Sequence, residues 1–299
     1  MRALVVLNEK SRRGEREGAL VCRTLEALGI ACERDPGAAG MEAVVAAGGD
    51  GTVISTIPMA IERGIPLGIV PLGTFNDLAR TLGVPLSIDR ACEVIAQTQT
   101  RAIDVGLVNG VYFVNEASVG LSTRIARRQT PEVKKRFGLL AIIATAFQSL
   151  RTVRRFTVHL SSSSGPAEEF KTIQLTIANS PRFGGVIERP DAALDDGWLD
   201  LYSVEPESWL QTFRIARKIV ARDASSGEGL RTRRATWFDV HTHRPHHVTA
   251  DGEPAGTTPA IFKVVPKAVR IIVPNAAACD TEISDIPASS SPSSDSVLG

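Results

Sequence analysis

The chain has 299 residues, 43% of them hydrophobic, 22% charged and 5% aromatic. That length supports one large domain or two ordinary ones with a substantial core, which excludes a peptide or a disulfide-stapled miniature. With 34 Lys and Arg against 33 Asp and Glu, the balance also argues against a generic nucleic-acid binder.

Met1 to Leu7 is apolar but gives way to Asn8-Glu9-Lys10 and lacks the length and cleavage site of a signal peptide. Ala3-Leu4-Val5-Val6-Leu7 reads as a buried parallel strand. Leu20, Val21, Leu25 and Leu28 then fall at helical spacing before Gly29. A second strand, Ala43 to Ala47, runs into Gly48-Gly49-Asp50-Gly51-Thr52, followed by a helical face of Val53, Ile54, Ile57 and Ile61. A third, Leu67 to Val70, enters Pro71-Leu72-Gly73-Thr74-Phe75-Asn76-Asp77. This alternation predicts an α/β domain with a parallel sheet covered by helices over residues 1–102.

From residue 103 to 274 the pattern becomes short runs at period near two: 104–108, 111–114, 157–160, 173–177, 198–204, 260–264 and 269–273. That spacing predicts a mainly antiparallel β-sandwich domain, interrupted by helices near 131–152 and 207–220. An exposed strand edge would let two sandwiches pair as a homodimer. The Ser-rich tail, 275–299, is expected to be disordered. It carries four acids and no Lys or Arg from Asp280 onward, leaving 34 basic residues against 29 acidic ones in the body.

Cys22, Cys32, Cys92 and Cys279 lie at wide spacings without a Cys-x-x-Cys pair, as expected of reduced thiols in the cytoplasm. Leu139 to Phe147 is about half of what a bilayer-spanning helix needs. His241, His243, His246 and His247 suggest zinc, but neither Cys nor carboxylate completes a set, and they read as turn residues around Pro245.

Three segments carry chemistry. In Gly48 to Thr52 a strand end opens a helix, where glycines admit close approach and free amides face phosphate oxygens. Asp50 inside that loop would repel phosphate unless a cation intervenes, which points to a magnesium nucleotide. Gly73 to Asp77 repeats the arrangement on the next strand, adding the Thr74 hydroxyl, the Asn76 amide and the Asp77 carboxylate at the edge where open parallel sheets bind ligands. Thr249-Ala250-Asp251-Gly252-Glu253 reads either as an Asp-Gly turn or as two carboxylates, one to accept a proton from an attacking hydroxyl and one to organise magnesium.

These segments, with Asp104, Phe113-Val114-Asn115, Ala178-Asn179-Ser180 through Pro190, and Asp195-Asp196-Gly197-Trp198-Leu199-Asp200, occur in the order found in one family. Together they resemble the diacylglycerol kinase catalytic family, in particular the soluble bacterial lipid kinases, over residues 2 to about 274. The resemblance implies ATP- and Mg²⁺-dependent phosphorylation of a lipid hydroxyl in an interdomain cleft, with Asp251 as general base. It assigns ATP binding to Gly48–Thr52 and Thr74, and an acidic network around phosphates and metal to Asp50, Asp77, Asp104 and Glu253. It places a structural Mg²⁺ on the Asp196 carboxylate with backbone carbonyls of Ala193 and Trp198.

Two departures stand out. Relatives open with Asn-Pro-x-Ser-Gly where this chain has Asn8-Glu9-Lys10-Ser11-Arg12-Arg13-Gly14, which leaves Asn8 and Ser11 as the phosphate contacts there. Asp35 to Glu42 is also too short and Gly-rich for the helix that relatives place before the Gly-Gly-Asp loop. NAD kinase shares the Gly-Gly-Asp-Gly-Thr loop and an Asn-Glu pair, here Asn115-Glu116, and a non-catalytic nucleotide-binding module is the rival of another class. From Arg124 to Arg155 nine basic residues and one acid flank Leu139 to Phe147. This segment is either a solvated basic face or a peripheral contact with an anionic membrane surface.

Overall fold

In the computed structural model, residues 1–7, 12–121, 154–183, 187–188, 193–206 and 229–275 are described. The expected helices near 131–152 and 207–220, the basic segment up to residue 153, Asn8, Ser11 and the tail from 276 lie outside them.

The N-terminal lobe follows the predicted alternation. It contains β1 (Arg2–Leu7), α1 (Arg12–Ala27), β2 (Ala31–Glu33), β3 (Ala43–Gly48), α2 (Asp50–Arg63), β4 (Leu67–Pro71), α3 (Asp77–Thr81) and α4 (Ile88–Gln97). The strands lie parallel in the order β2-β1-β3-β4, with Val5 opposite Val45 and Ala46 opposite Ile69. Every residue of β3 and β4 is buried, as a parallel sheet covered on both faces requires. Val21 and Leu25 of α1, Val53 and Ile57 of α2 and Ile95 of α4 close the core over these strands. Between β2 and β3 the chain has turns but no helix.

The second lobe contains β5 (Thr100–Val108), β6 (Val111–Phe113), β7 (Glu116–Gly120), β8 (Phe156–Ser162), β9 (Gly165–Thr172), β10 (Gln174–Ala178), β11 (Arg182–Phe183), β12 (Ile187–Glu188), β13 (Leu199–Val204), β14 (Leu230–Ala235), β15 (Trp237–Thr242), β16 (His247–Ala250), β17 (Glu253–Thr257) and β18 (Ala260–Ile272). One antiparallel sheet runs β14-β13-β10-β7-β16-β17. It faces β5, β6, β18, β15, β8 and β9 across a core that includes Phe113, Phe238, Phe262, Val119, Leu175 and Leu201. Each buried phenylalanine there contributes about 1.5–3 kcal/mol. An α/β lobe followed by an antiparallel sandwich is therefore the architecture, as the sequence pattern implies.

The lobes are not separate sheets. The first half of β18 pairs with β15 and its end reaches β4, with Ile271 opposite Leu67, while β5 accompanies it along both halves. The boundary at 102/103 thus falls inside β5. The two runs expected at 260–264 and 269–273 form one strand, bent at a bulge between Val265 and Val269 where Lys267 takes φ +51.

Two of the strands, β9 and β14, carry little apolar alternation. On β14, Arg231 lies 2.7 Å from Glu205, its guanidinium sits 4.5 Å over the Phe170 ring, and Arg233 lies 2.7 Å from Glu168 of β9. His241, expected in a turn, lies on β15 with Nε2 3.1 Å from Asp239, a carboxylate missing from the sequence reading. His246 stacks on Phe156, with centroids 4.2 Å apart. No metal-competent cluster of three or more His, Cys, Asp or Glu occurs among the described residues.

Candidate active site

The two glycine loops leave the ends of neighbouring strands β3 and β4, and they touch backbone to backbone. A Cβ added at Gly73 would fall 2.5 Å from the Gly49 Cα, and one at Gly48 would fall 2.2 Å from the Thr52 Oγ1. Glycine is needed here for close approach, and the result is a side-chain-free floor at the sheet edge. Gly49 is the extended N-cap of α2 and has no side-chain cap, so first-turn amides that a helix leaves without internal partners face that edge.

The polar residues of these loops divide by orientation. Gly51, Gly73, Thr74 and Phe75 are exposed, and Asp50 and Asp77 are half-buried in the first turns of α2 and α3. Thr52 is buried over Gly48. Asn76 is buried at φ 51; its Oδ1 accepts the Gly73 N–H at 3.0 Å and its Nδ2 donates to the Gly73 carbonyl at 2.9 Å. The amide expected to meet nucleotide is occupied in closing its own loop.

Asp251 and Gly252 both have positive φ, +47 and +88, the signature of a tight turn between antiparallel strands, here β16 and β17. The turn aims the Asp251 side chain at the β6–β7 connection. Oδ2 accepts the Val114 N–H at 2.7 Å, and Oδ1 accepts those of Asn115 and Glu116 at 2.9 and 3.0 Å. Burial pushes this carboxyl up to about 6, against the pull of the three amides and with a further push from the Asp50 charge. The Asp-Gly turn is present, and its Asp251 carboxyl is buried against the β6–β7 connection. Glu253 opens β17 and is exposed.

Glu116, absent from the expected site residues, is the most perturbed acid beside Asp251. Burial first, then the charges of Asp251 and Asp77, push its carboxyl up to about 7. Charges from both glycine loops thus reach acids of the sandwich, which puts the two lobes on opposite sides of one acidic cleft. Only the Asn-Glu pair hinted at this residue in the sequence. Asn179 was also missed as a site residue. It is buried, and its Nδ2 donates to the carbonyls of Asp104 and Val114 at 3.1 and 3.0 Å, bracing the residue whose amide holds Asp251.

Asp104 sits behind the cleft. It is buried, its Oδ2 accepts the Gly197 N–H and its Oδ1 accepts the Lys267 N–H, each at 2.7 Å. Its carboxylate staples the Asp-Asp-Gly turn to the bulge of β18.

The glycine floor and the first-turn amides suit phosphate oxygens, and the half-buried Asp50 and Asp77 at the same edge add hard carboxylate oxygens of the kind a magnesium nucleotide takes. The proposed structural Mg²⁺ site does not fit. Asp196 accepts the N–H groups of Ala193 and Trp198 at 3.1 and 3.0 Å, and the Arg234 Nη2 donates to its Oδ2. Donors, one of them cationic, surround the carboxylate that was to bind metal.

Known proteins resemble this chain in both lobes. The diacylglycerol kinase catalytic domain matches residues 26–108, and the YegS C-terminal NAD kinase β-sandwich-like domain matches residues 115–273. A Pseudomonas aeruginosa protein named as a probable lipid kinase, YegS-like, is 33% identical over 248 residues, covering 79% of this chain and 78% of that protein. The chain belongs to the diacylglycerol kinase family. A Bacillus subtilis diacylglycerol kinase is 28% identical over 236 residues, 77% of each chain. An uncharacterised Synechocystis protein is 29% identical over 237 residues, 77% of this chain but 54% of its own length. The crystal structure of a Bacillus anthracis diacylglycerol kinase shares the fold, with a TM-score of 0.72 at 23% identity over 93% of this chain and 97% of that one. Members of the family are kinases that phosphorylate an alcohol acceptor. No helix among the described residues is long and apolar enough to cross a membrane.

Proposed function

We propose that this chain is an ATP- and Mg²⁺-dependent lipid kinase that transfers the γ-phosphoryl group to a hydroxyl of diacylglycerol or a related lipid. The observation that carries the reading is the Asp251 carboxylate, held by three amides at the acidic cleft and pushed up to about 6. At neutral pH it is mostly ionised, yet basic enough to take a proton.

In this reading the phosphates lie on the floor formed by Gly48–Gly51 and Gly73–Thr74, where the α2 amides meet them. Bound Mg²⁺ would neutralise phosphate charge, with oxygen ligands drawn from Asp50, Asp77 and Glu253. The lipid hydroxyl enters from the sandwich side. Its oxygen bonds to the γ-phosphorus as the bond to the ADP oxygen breaks, and its proton passes to Asp251. Glu116, neutral for part of the time near pH 7, limits the charge repelling the phosphates. Membrane access would come through residues 124–155, whose support is their basic composition. The protein would then work in the cytoplasm at the inner membrane face.

The test is ADP release from Mg·ATP against a panel of lipids in mixed micelles, with NAD as a non-lipid acceptor and Asp251→Asn alongside. Lipid-dependent ADP from the wild type alone is expected. ADP only with NAD, or none with measurable ATP binding, would refute the lipid kinase assignment.

A further inference from the structure

The turn from Asp195 to Asp200 gathers three carboxylates within six positions, with Asp104 bonded to its Gly197 amide. Like charges brought this close disfavour the folded turn unless positive charge is brought to it. Two guanidinium groups supply that charge. Arg101 grips Asp195 with Nε and Nη2 at 3.1 and 2.7 Å. Arg234 bonds Asp196 through Nη2, its Nε lies 3.6 Å from the Asp200 Oδ1, and its guanidinium carbon is 5.9 Å from the centre of the Trp198 ring.

Strand pairing delivers Arg234 to this place. Asp200 of β13 and Arg234 of β14 are direct partners in the antiparallel register, so folding the sheet puts a guanidinium beside the turn. Asp196 is left with little to offer a metal. Its oxygens already accept two amides and the guanidinium, whereas Mg²⁺ takes six oxygens at about 2.0–2.1 Å and Ca²⁺ six to eight at about 2.3–2.6 Å. A cation would have to displace Arg234 before reaching the carboxylate.

We propose that Arg234 is a built-in replacement for a divalent cation at the Asp195–Asp200 turn, which makes this part of the fold independent of metal. Because a guanidinium stays charged at all working pH values, the compensation does not vary with the metal supply. Any magnesium requirement then belongs to the nucleotide alone.

The experiment is thermal unfolding of the full chain without nucleotide, in EDTA and in millimolar Mg²⁺ or Ca²⁺. Any metal-dependent rise in Tm in the wild type is expected to be the same in Asp196→Asn, since metal would bind elsewhere, in the acidic cleft. Arg234→Met is expected to melt lower in EDTA and to regain about 5 °C in saturating metal, the scale of a ligand roughly a hundred-fold above its Kd. The double variant Arg234→Met with Asp196→Asn is expected not to regain it. A wild-type rise that Asp196→Asn abolishes would overturn the proposal, as would a folded Arg234→Met that gains nothing from either metal. If Arg234→Met does not fold, the comparison of wild type with Asp196→Asn decides alone. No readout uses catalysis, so failure here leaves the kinase reading intact, and the reverse also holds.

Discussion

The cleft and the Asp195–Asp200 turn are both rich in carboxylates, and they treat charge in opposite ways. At the turn Asp195 faces Arg101, and Asp196 and Asp200 face Arg234. In the cleft Asp251 and Glu116 are pushed up by burial and by the charges of Asp50 and Asp77. A neutralised cluster supports the fold, whereas a cluster whose members raise one another is arranged for a positive ligand or a proton. Acidic residues alone do not separate the two cases; their partners do.

The largest expected effect is at Asp251, the proposed proton acceptor. Asp251→Asn should lower kcat by about 10²- to 10⁴-fold with ATP affinity retained, measured by ADP release and by nucleotide titration. For the wild type, kcat/KM should fall as pH drops through about 6, the region in which Asp251 takes up its proton. A rate that is flat down to pH 5 would remove Asp251 from the role.

Next comes the floor of the cleft. Gly73→Ala puts a methyl group 2.5 Å from the Gly49 Cα and 2.7 Å from the Asn76 Oδ1, and backbone cannot yield as a side-chain tip can. Overpacking of this kind costs about 1–3 kcal/mol, and the KM for ATP should rise at least about 10-fold because both loops must shift. An unchanged KM would show that the loops do not form the phosphate floor.

Glu116→Gln tests the cleft through stability. The folded carboxyl titrates near 7 against 4.5 as its ordinary value, so its contribution is fully present below about pH 4.5 and is lost as pH rises through 7. The Gln variant escapes that loss. Its Tm relative to wild type should therefore climb between pH 5 and pH 8, at about 2–4 °C for each kcal/mol, and a pH-independent difference would contradict the burial of a charged Glu116. The smallest effect is expected at the turn's outer pair. Arg101→Met breaks a largely exposed ion pair and should cost about 1 kcal/mol or less in chemical denaturation.

Much of this was legible in the sequence. Apolar runs gave β1, β3 and β4 because strands covered on both faces have little use for polar residues. The Asp-Gly pair at 251 and 252 gave the hairpin. Less visible were β9 and β14, with sequences Gly-Pro-Ala-Glu-Glu-Phe-Lys-Thr and Leu-Arg-Thr-Arg-Arg-Ala, whose cohesion includes cross-strand Arg–Glu contacts that periodicity does not register. The single β18 was hidden by the gap between the runs at 260–264 and 269–273, where the strand bends at a bulge fastened by Asp104. In the site, residue types were legible but orientation was not: Thr52 and Asn76 turn inward, and Glu116 becomes notable only when folding brings Asp251 and Asp77 to it.

The strands β5 and β18 run unbroken from one lobe into the other. Among the described residues, the two lobes are joined through paired strands. Relative movement of the lobes must pass through paired backbone, and the place where that pairing gives way is the bulge between Val265 and Val269. At that bulge the Asp104 carboxylate takes over from strand pairing, fastening the Lys267 amide and the Gly197 amide to one buried acid.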